Sequence, residues 1–277
     1  MYSRAYVEIT NICNMSCSFC HGTKRKKEQM SLGEFARIVG NLRGVTEYLY
    51  LHVLGEPLTH PMLPTFIEYA SACGFKVAIT TNGTLLDKRG DDLIKAGVYK
   101  INVSLHSFEA ADEAKQEEYV RSCVSFADKA SKAGVLTVLR LWNRTSECEI
   151  LNDKTVETIR EQLGDGWTFG ARGARIRDKL HLEYGDRFEW PDICGEDLGD
   201  KVFCHGLGDH FGILVDGSVV PCCLDAEGDM VLGNIFKEDI RAILSSERAL
   251  SIKAGFENKK GVEELCRKCK YARRFKI

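Results

Sequence analysis

The stretch AYVEITNICNMSCSFC, residues 5–20, runs an alternating apolar pattern straight into three cysteines, Cys13, Cys17 and Cys20. The alternation reads as a strand with Tyr6, Glu8 and Thr10 on one face. The rhythm continues beyond it. SLGEFARIVGNL carries a capping-box pattern at Ser31 and Glu34, YLYLHVL is strand-like, and a helical stretch runs through Pro61 to Cys73. FKVAIT, LLDKRGDDLIKAG, KINVSL, a helical stretch from Glu109 to Ala133, VLTVLRL and NDKTVETIREQLG then follow. Five βα units are readable, and a sixth strand is expected within Thr168–Lys179, a stretch interrupted by glycines and arginines. Repeated βα units imply a parallel sheet covered by helices, either doubly wound or a complete or partial barrel. Periodicity leaves that choice open. In both cases the loops at the C-terminal ends of the strands build the active site.

Composition removes several classes. The chain has 277 residues, 44% hydrophobic and 28% charged, which excludes disordered and fibrous proteins. Lys and Arg number 38 against 40 Asp and Glu, a formal net charge of -2, so no global basic field exists to hold nucleic acid or an anionic membrane. No signal-peptide h-region and no apolar run of membrane-spanning length occur, and a cytoplasmic protein is expected. Twelve cysteines are too many to ignore. In a reducing compartment they are buried fillers, metal ligands or redox groups rather than a disulfide framework. Cys73 and Cys123 lie in helical patterns and Cys148 and Cys194 in irregular ones, and these four are expected to be ordinary thiols.

Chemistry is expected on the strand-end loops. Cys13, Cys17 and Cys20 follow the first strand, Gly55-Glu56-Pro57 the second and Thr80-Thr81-Asn82-Gly83 the third. On the fourth strand Asn102, Ser104 and His106 alternate with apolar residues, which in a helix-covered sheet implies an internal polar cavity. Glu8, and Arg140 inside VLTVLRLW, need partners or a polar ligand if buried. Three thiolates at CxxxCxxC can hold three corners of a 4Fe-4S cluster and leave the fourth iron open. Zinc is the alternative, but a closed zinc site wants four ligands.

Cys13, Cys17 and Cys20, with Phe19 before the last, resemble the signature of the radical S-adenosylmethionine (radical SAM) superfamily. The resemblance implies a partial (β/α)6 barrel of TIM type over residues 1–190. It also implies that SAM chelates the open iron through its amino and carboxylate groups. One electron from the reduced cluster then cleaves SAM to methionine and a 5'-deoxyadenosyl radical, which abstracts hydrogen from a substrate. Gly55-Glu56-Pro57 is similar to the family's Gly-Gly-Glu-Pro motif for the methionine amino group, with Leu54 in place of the first glycine. By the same resemblance Ser104 meets the ribose and carboxylate of SAM, Arg140 binds the methionine carboxylate, and Phe19 and Asn82 join the cofactor-binding set.

After about residue 190 the βα rhythm stops. FGILVDGSVVPCC reads as a hairpin turning at Asp216-Gly217 and delivering Cys222 and Cys223; Cys204 precedes it and Cys266-Arg-Lys-Cys269 closes the chain. Four such thiolates suit zinc or a second iron-sulfur cluster. Beside a radical SAM body they resemble the twitch domain, a shortened relative of the SPASM domain, over residues 191–277. One auxiliary 4Fe-4S cluster on Cys204, Cys222, Cys266 and Cys269 is the expectation. Cys223 is the alternative to Cys222, since adjacent strand residues point oppositely.

A closed second cluster implies an electron acceptor. Twitch enzymes of this layout include an aminocyclitol dehydrogenase and the cyclase that begins molybdenum-cofactor synthesis. The leading expectation is an oxidoreductase acting on a small polar metabolite such as a sugar or cyclitol derivative, with Glu8, His52 and His106 as candidate substrate contacts. An electron donor such as flavodoxin or ferredoxin is the expected partner. Peptide modification is the alternative; relatives of that kind often carry an N-terminal leader-binding domain, for which no room is expected ahead of Cys13. A nonenzymatic iron-sulfur or zinc protein is the distant alternative. The run Lys24–Lys27 is read as a solvated face. Arg172, Arg175 and Arg177 are read as an anion site or as local salt bridges.

Overall fold

A computed structural model describes residues 1–108, 113–144 and 149–275. In chain order its elements are β1 (Arg4–Val7), α1 (Leu32–Leu42), β2 (Tyr48–Tyr50), α2 (Leu63–Ala72), β3 (Lys76–Thr81), α3 (Leu86–Lys95) and β4 (Lys100–Ser104). Next come α4 (Glu113–Lys132), β5 (Leu136–Arg144), α5 (Glu149–Leu163), β6 (Thr168–Gly170), β7 (Gly173–Arg177) and β8 (Leu180–Asp186). The last are β9 (His210–Ile213), β10 (Ser218–Val220), β11 (Gly233–Asn234), α6 (Ile240–Leu244), α7 (Glu247–Glu257) and α8 (Glu264–Arg267). Glu109 and Cys148 lie outside the described residues. Among those residues no helix is long and apolar enough to cross a membrane.

The elements pack as two compact units. The first comprises Met1–Gly55, Ala72–Phe75 and the chain from Phe188 onward; the second comprises Glu56–Ser71 and Lys76–Arg187.

In the first unit β1 pairs in parallel with β2, in register Tyr6 to Tyr50, and with β9, in register Arg4 to His210 and Tyr6 to Gly212. Side-chain parity along β1 is as the alternation requires. Ala5, Val7 and Ile9 are wholly buried, while Tyr6, Glu8 and Thr10 take the other parity, with Glu8 also at 0% exposure. The capping box forms: the Glu34 amide donates to Ser31 Oγ at 3.3 Å and the Ser31 amide to Glu34 Oε2 at 2.8 Å. It starts α1, whose Phe35, Ile38, Val39 and Leu42 are buried on one stripe. β9 and β10 make the expected antiparallel hairpin. Gly217 turns it with φ +83°, and a Cβ there would lie 2.4 Å from the Phe236 ring.

In the second unit β3, β4, β5 and β8 pair in parallel, each in register with the next. Asn102 on β4 is fully buried and donates to Ile79 O and Thr80 Oγ1, both at 3.2 Å, so the polar parity of this strand is internal. The sixth strand differs from expectation. Thr168–Lys179 holds the antiparallel pair β6 and β7, and the parallel partner of β5 is β8, which begins only at Leu180. Gly170 and Gly173 close the tight β6–β7 turn, so the glycines that obscured a strand mark a reversal of the chain.

Candidate functional site

β1 ends at Val7, and its continuation is fixed before the cysteines begin. Asn11 is 1% exposed; its Nδ2 donates to Lys26 O at 2.7 Å and its Oδ1 accepts from the Glu28 amide at 2.8 Å. The side chain of Thr10 accepts from the Ile12 amide at 3.1 Å. The outgoing and returning limbs of the cysteine loop are thus clamped at its base. Beyond the clamp Cys13 and Cys20 are exposed and Cys17 and Phe19 half-buried. The Met15 amide points at Cys13 Sγ, 3.4 Å away, and the Cys20 amide closes a turn on Cys17 O at 3.1 Å. Exposed thiols on a short, base-clamped loop suit an external inorganic cluster better than a packed core.

Gly55 meets the same base from another side. With φ +75°, its missing Cβ would lie 2.4 Å from Thr10 O and 3.0 Å from Asn11, so only glycine lets this loop touch the chain entering the cysteines. Gly55→Ala is expected to cost roughly 2–5 kcal/mol, the sum of left-handed backbone strain and overpacking, measurable by denaturant unfolding.

Glu8 is not left for a ligand. Its carboxylate accepts from Arg25 Nη2 at 2.7 Å and from the amides of Leu54 at 3.2 Å and Val215 at 3.1 Å. The partner lies in the Lys24–Lys27 run, where Arg25 departs from the solvated reading: its side chain is 15% exposed. On the same parity of β1, Tyr6 forms ring contacts with Tyr50 at 5.3 Å and with His52 and His210 at 5.5 Å each. Burial pushes His210 down to about 4, so it is neutral at physiological pH.

The second cysteine group also belongs to the first unit. Cys204 precedes β9, Cys222 and Cys223 follow β10, Cys266 sits in α8 and Cys269 starts the short turn after it. Backbone amides point at several of the sulfurs: those of Gly206 and His205 at Cys204, Leu224 at Cys222, and Tyr271 and Ala272 at Cys269. Burial raises all four thiols above their ordinary range. Cys204 adds repulsion at each of the other three, and Cys266 at Cys222. Burial and mutual repulsion keep these sulfurs as neutral thiols in the absence of a bound cation or cluster, and the N–H donors aimed at them are the contacts that support thiolate ligands. Among the described residues no three His, Cys, Asp or Glu side chains meet at a single-ion point. Cys223 stands apart: Tyr6 donates to its thiol, which burial pushes up to about 12. None of the eleven described cysteines is in a disulfide.

A row of aromatic contacts connects the neighbours of both groups. His21, beside Cys20, meets Trp190 at 4.7 Å; Trp190 meets Phe188 at 5.6 Å; Phe188 meets Tyr271, two residues past Cys269, at 5.2 Å. Tyr271 meets Phe275 at 5.8 Å, and Phe275 meets His205, beside Cys204, at 5.0 Å. No periodic signal in the sequence marks this row.

In the second unit Glu56 caps the short turn Pro57–Thr59 and accepts from the Leu58 amide at 3.0 Å, Thr81 Oγ1 at 2.8 Å and the Asn82 amide at 2.7 Å. Pro57 fits the first position of that turn. Burial pushes the Glu56 carboxyl up to about 7 against the pull of these donors. Its oxygens are engaged in ordering the Thr81–Gly83 loop. The side chain of Asn82 accepts from the Thr84 amide and hydroxyl at 3.0 and 2.7 Å. Ser104 is 9% exposed and stands opposite Arg140 in the β4–β5 register. Arg140 pairs with Glu183 at 3.4 Å and lies 4.4 Å over the Trp142 ring. His106 Nδ1 accepts from the Trp142 amide at 3.2 Å. Arg177 pairs with Asp128, and Arg175 with Asp178 at 3.6 Å, the salt-bridge reading of that cluster.

A parallel α/β body whose first strand feeds a three-thiol loop, followed by a segment with four more buried or half-buried thiols, carries the kind of donors an iron-sulfur protein uses. Residues 7–142 match the radical SAM superfamily, and residues 204–270 match the SPASM iron-sulfur cluster-binding domain. The chain belongs to the radical SAM superfamily and carries a C-terminal cluster-binding domain; its cofactors are S-adenosylmethionine and 4Fe-4S clusters.

Among curated relatives, GTP 3',8-cyclase of Chlorobaculum tepidum is 33% identical over 107 residues, 37% of this chain and 32% of that one. A probable GTP 3',8-cyclase of Methanopyrus kandleri is 32% identical over 170 residues, 57% of this chain and 52% of that one. The chain thus spans about a third to a half of these relatives. BtrN in complex with AdoMet and 2-DOIA has the same fold, with TM-score 0.63 at 18% identity over 98% of this chain and 93% of that one. SuiB of Streptococcus suis bound to its precursor peptide SuiA has TM-score 0.56 at 13% identity over 97% and 71%. The fold class is therefore the expected one, α/β, a partial (β/α)6 barrel of radical SAM type with a small cysteine-rich C-terminal domain.

Proposed function

We propose that the protein is a radical SAM oxidoreductase that takes a hydrogen atom from a small polar metabolite, such as a sugar or cyclitol derivative, and an electron from the radical so formed. The observation that carries this reading is the second cysteine group. Cys204, Cys222, Cys266 and Cys269 would give every iron of an auxiliary cluster a protein ligand, and a cluster so closed would accept electrons rather than bind substrate. Fit to BtrN over 98% of this chain and 93% of that one, and the GTP named by the curated relatives, support a small polar substrate.

When bound, SAM and the cluster on Cys13, Cys17 and Cys20 supply a 5'-deoxyadenosyl radical. The chain's own residues orient and exclude. Gly55 brings its loop against Thr10 and Asn11. Glu56, engaged by three donors, orders the Asn82 loop, and the Gly55-Glu56-Pro57 motif would meet the methionine amino group. Ser104 would meet the ribose and Arg140, paired with Glu183 in this structure, would meet the methionine carboxylate. With both groups bound, the substrate would give up a hydrogen atom to 5'-deoxyadenosine, an electron to the auxiliary cluster and a proton to solvent, and an external one-electron acceptor would then reoxidise that cluster. The initiating electron comes from a carrier such as flavodoxin or ferredoxin. His52 and His106 remain the candidate substrate contacts.

Peptide modification is the second reading, favoured by the shared fold of SuiB bound to SuiA. Incubation with deuterated metabolite pools and with deuterated peptides separates the two. Deuterium in 5'-deoxyadenosine is expected from one metabolite class; transfer from peptides alone overturns the small-molecule reading.

A further inference from the structure

We propose that Glu8 is a positioning residue that couples the two cysteine sites, rather than a contact for substrate. The inference rests on occupancy of both sites and not on which substrate is oxidised. Glu8 is wholly buried, and three separate segments end on its carboxylate. Arg25 brings the limb returning from the Cys13–Cys20 loop, at 2.7 Å. The Leu54 amide, 3.2 Å away, brings the segment leading into Gly55. The Val215 amide, 3.1 Å away, brings the β9–β10 hairpin that delivers Cys222. A buried carboxylate with one cation and two amides has its charge balanced and its lone pairs engaged, so the arrangement tolerates little displacement of any donor.

The same two loops are tied again beside it. Arg25 Nε donates to Ala226 O at 2.8 Å, and the Lys24 amide points at the Glu227 carboxylate, 3.2 Å to the nearer oxygen. Both acceptors lie three to four residues past Cys223. Beneath these polar ties Leu54, Leu214, Val220 and Ala226 form one buried apolar cluster, with Tyr6 and Trp190 packed against it. The limb returning from the first cysteine loop therefore cannot shift without moving the segment that follows Cys222. Ligation at the second site, which fixes that segment, raises the first loop's affinity for SAM through Glu8, and by reciprocity SAM held at the first site raises the second site's affinity for its cluster without touching that cluster's irons.

The test is a thermodynamic cycle. SAM affinity is read from the SAM-induced change in the first cluster's electron paramagnetic resonance signal. Protein with a filled second site is compared with Cys204→Ala/Cys269→Ala protein, each with Glu8 or Glu8→Gln. Emptying the second site is expected to weaken SAM binding roughly 5- to 150-fold when Glu8 is present, the usual span of coupling between sites, and by a clearly smaller factor in Glu8→Gln, where only the Arg25–Ala226 and Lys24–Glu227 ties remain. A residue with only a structural role would lower stability without altering that ratio. Should Glu8→Gln fail to fold, Glu8→Gln/Arg25→Gln removes both charges, leaves no ion unpaired, and is expected to lower the coupling likewise. An equal ratio with and without Glu8, or no effect of the second site in the parent protein, overturns the proposal. Metal counting keeps this separate from the oxidation reading: zinc in the second site would end that reading while the cycle still measured coupling to its occupancy.

Discussion

Replacing Cys13, Cys17 and Cys20 together by alanine is expected to abolish 5'-deoxyadenosine formation while removing one of two clusters, so that iron per chain falls by half. The structure gives a reason to expect so clean a separation. Cys13 and Cys20 are exposed and Cys17 half-buried on a loop whose shape is fixed below them by Thr10 and Asn11. None of the three supports the apolar core, so their loss should change stability by no more than about 0.5 kcal/mol. The second group, on separate elements, keeps its amide donors. Iron and sulfide counting after anaerobic reconstitution, with chromatographic assay of 5'-deoxyadenosine, checks both parts. Loss of all iron, or SAM cleavage at the parent rate, would show that the first site had been misassigned.

The adjacent pair Cys222 and Cys223 should give opposite results when each is replaced by serine. Cys222→Ser is expected to lose the second cluster, again half of the iron, and to leave 5'-deoxyadenosine formation running without oxidised product. Cys223→Ser is expected to keep both clusters. Electrostatic neighbours separate the two: Cys222 feels Cys204 and Cys266 and receives the Leu224 amide, whereas Cys223 feels Cys204 alone among the other expected ligands and receives the Tyr6 hydroxyl. Both residues lie in the turn after β10, where Cys223 is taken up by the Tyr6 hydroxyl and Cys222 is left to the cysteine group. Iron retained in Cys222→Ser and lost in Cys223→Ser would reverse the assignment.

Much of this was readable before any coordinates. Period-2 alternation placed Glu8 off the apolar face of β1, the Ser31–Glu34 pair marked the start of α1, and Asp216-Gly217 marked the hairpin, because each signal is local. What escaped was long-range or ambiguous in kind. β9 pairs with β1 across some two hundred residues, and no local period encodes that partner. Arg25 resembles its lysine neighbours in sequence; only the buried carboxylate of Glu8 distinguishes it. The sixth parallel strand was sought one hairpin too early because β6 and β7 have strand composition of their own. The candidate ligands were found by spacing, whereas the amides aimed at their sulfurs could be found only from the fold.

The central claim is that one cluster site is open to SAM and the other is closed by four cysteines. Reconstituted, reduced protein should show two [4Fe-4S]+ signals by electron paramagnetic resonance, and added SAM should shift one of them and leave the other unchanged. SAM-dependent change in both signals, or a second site filled by zinc, would contradict the claim.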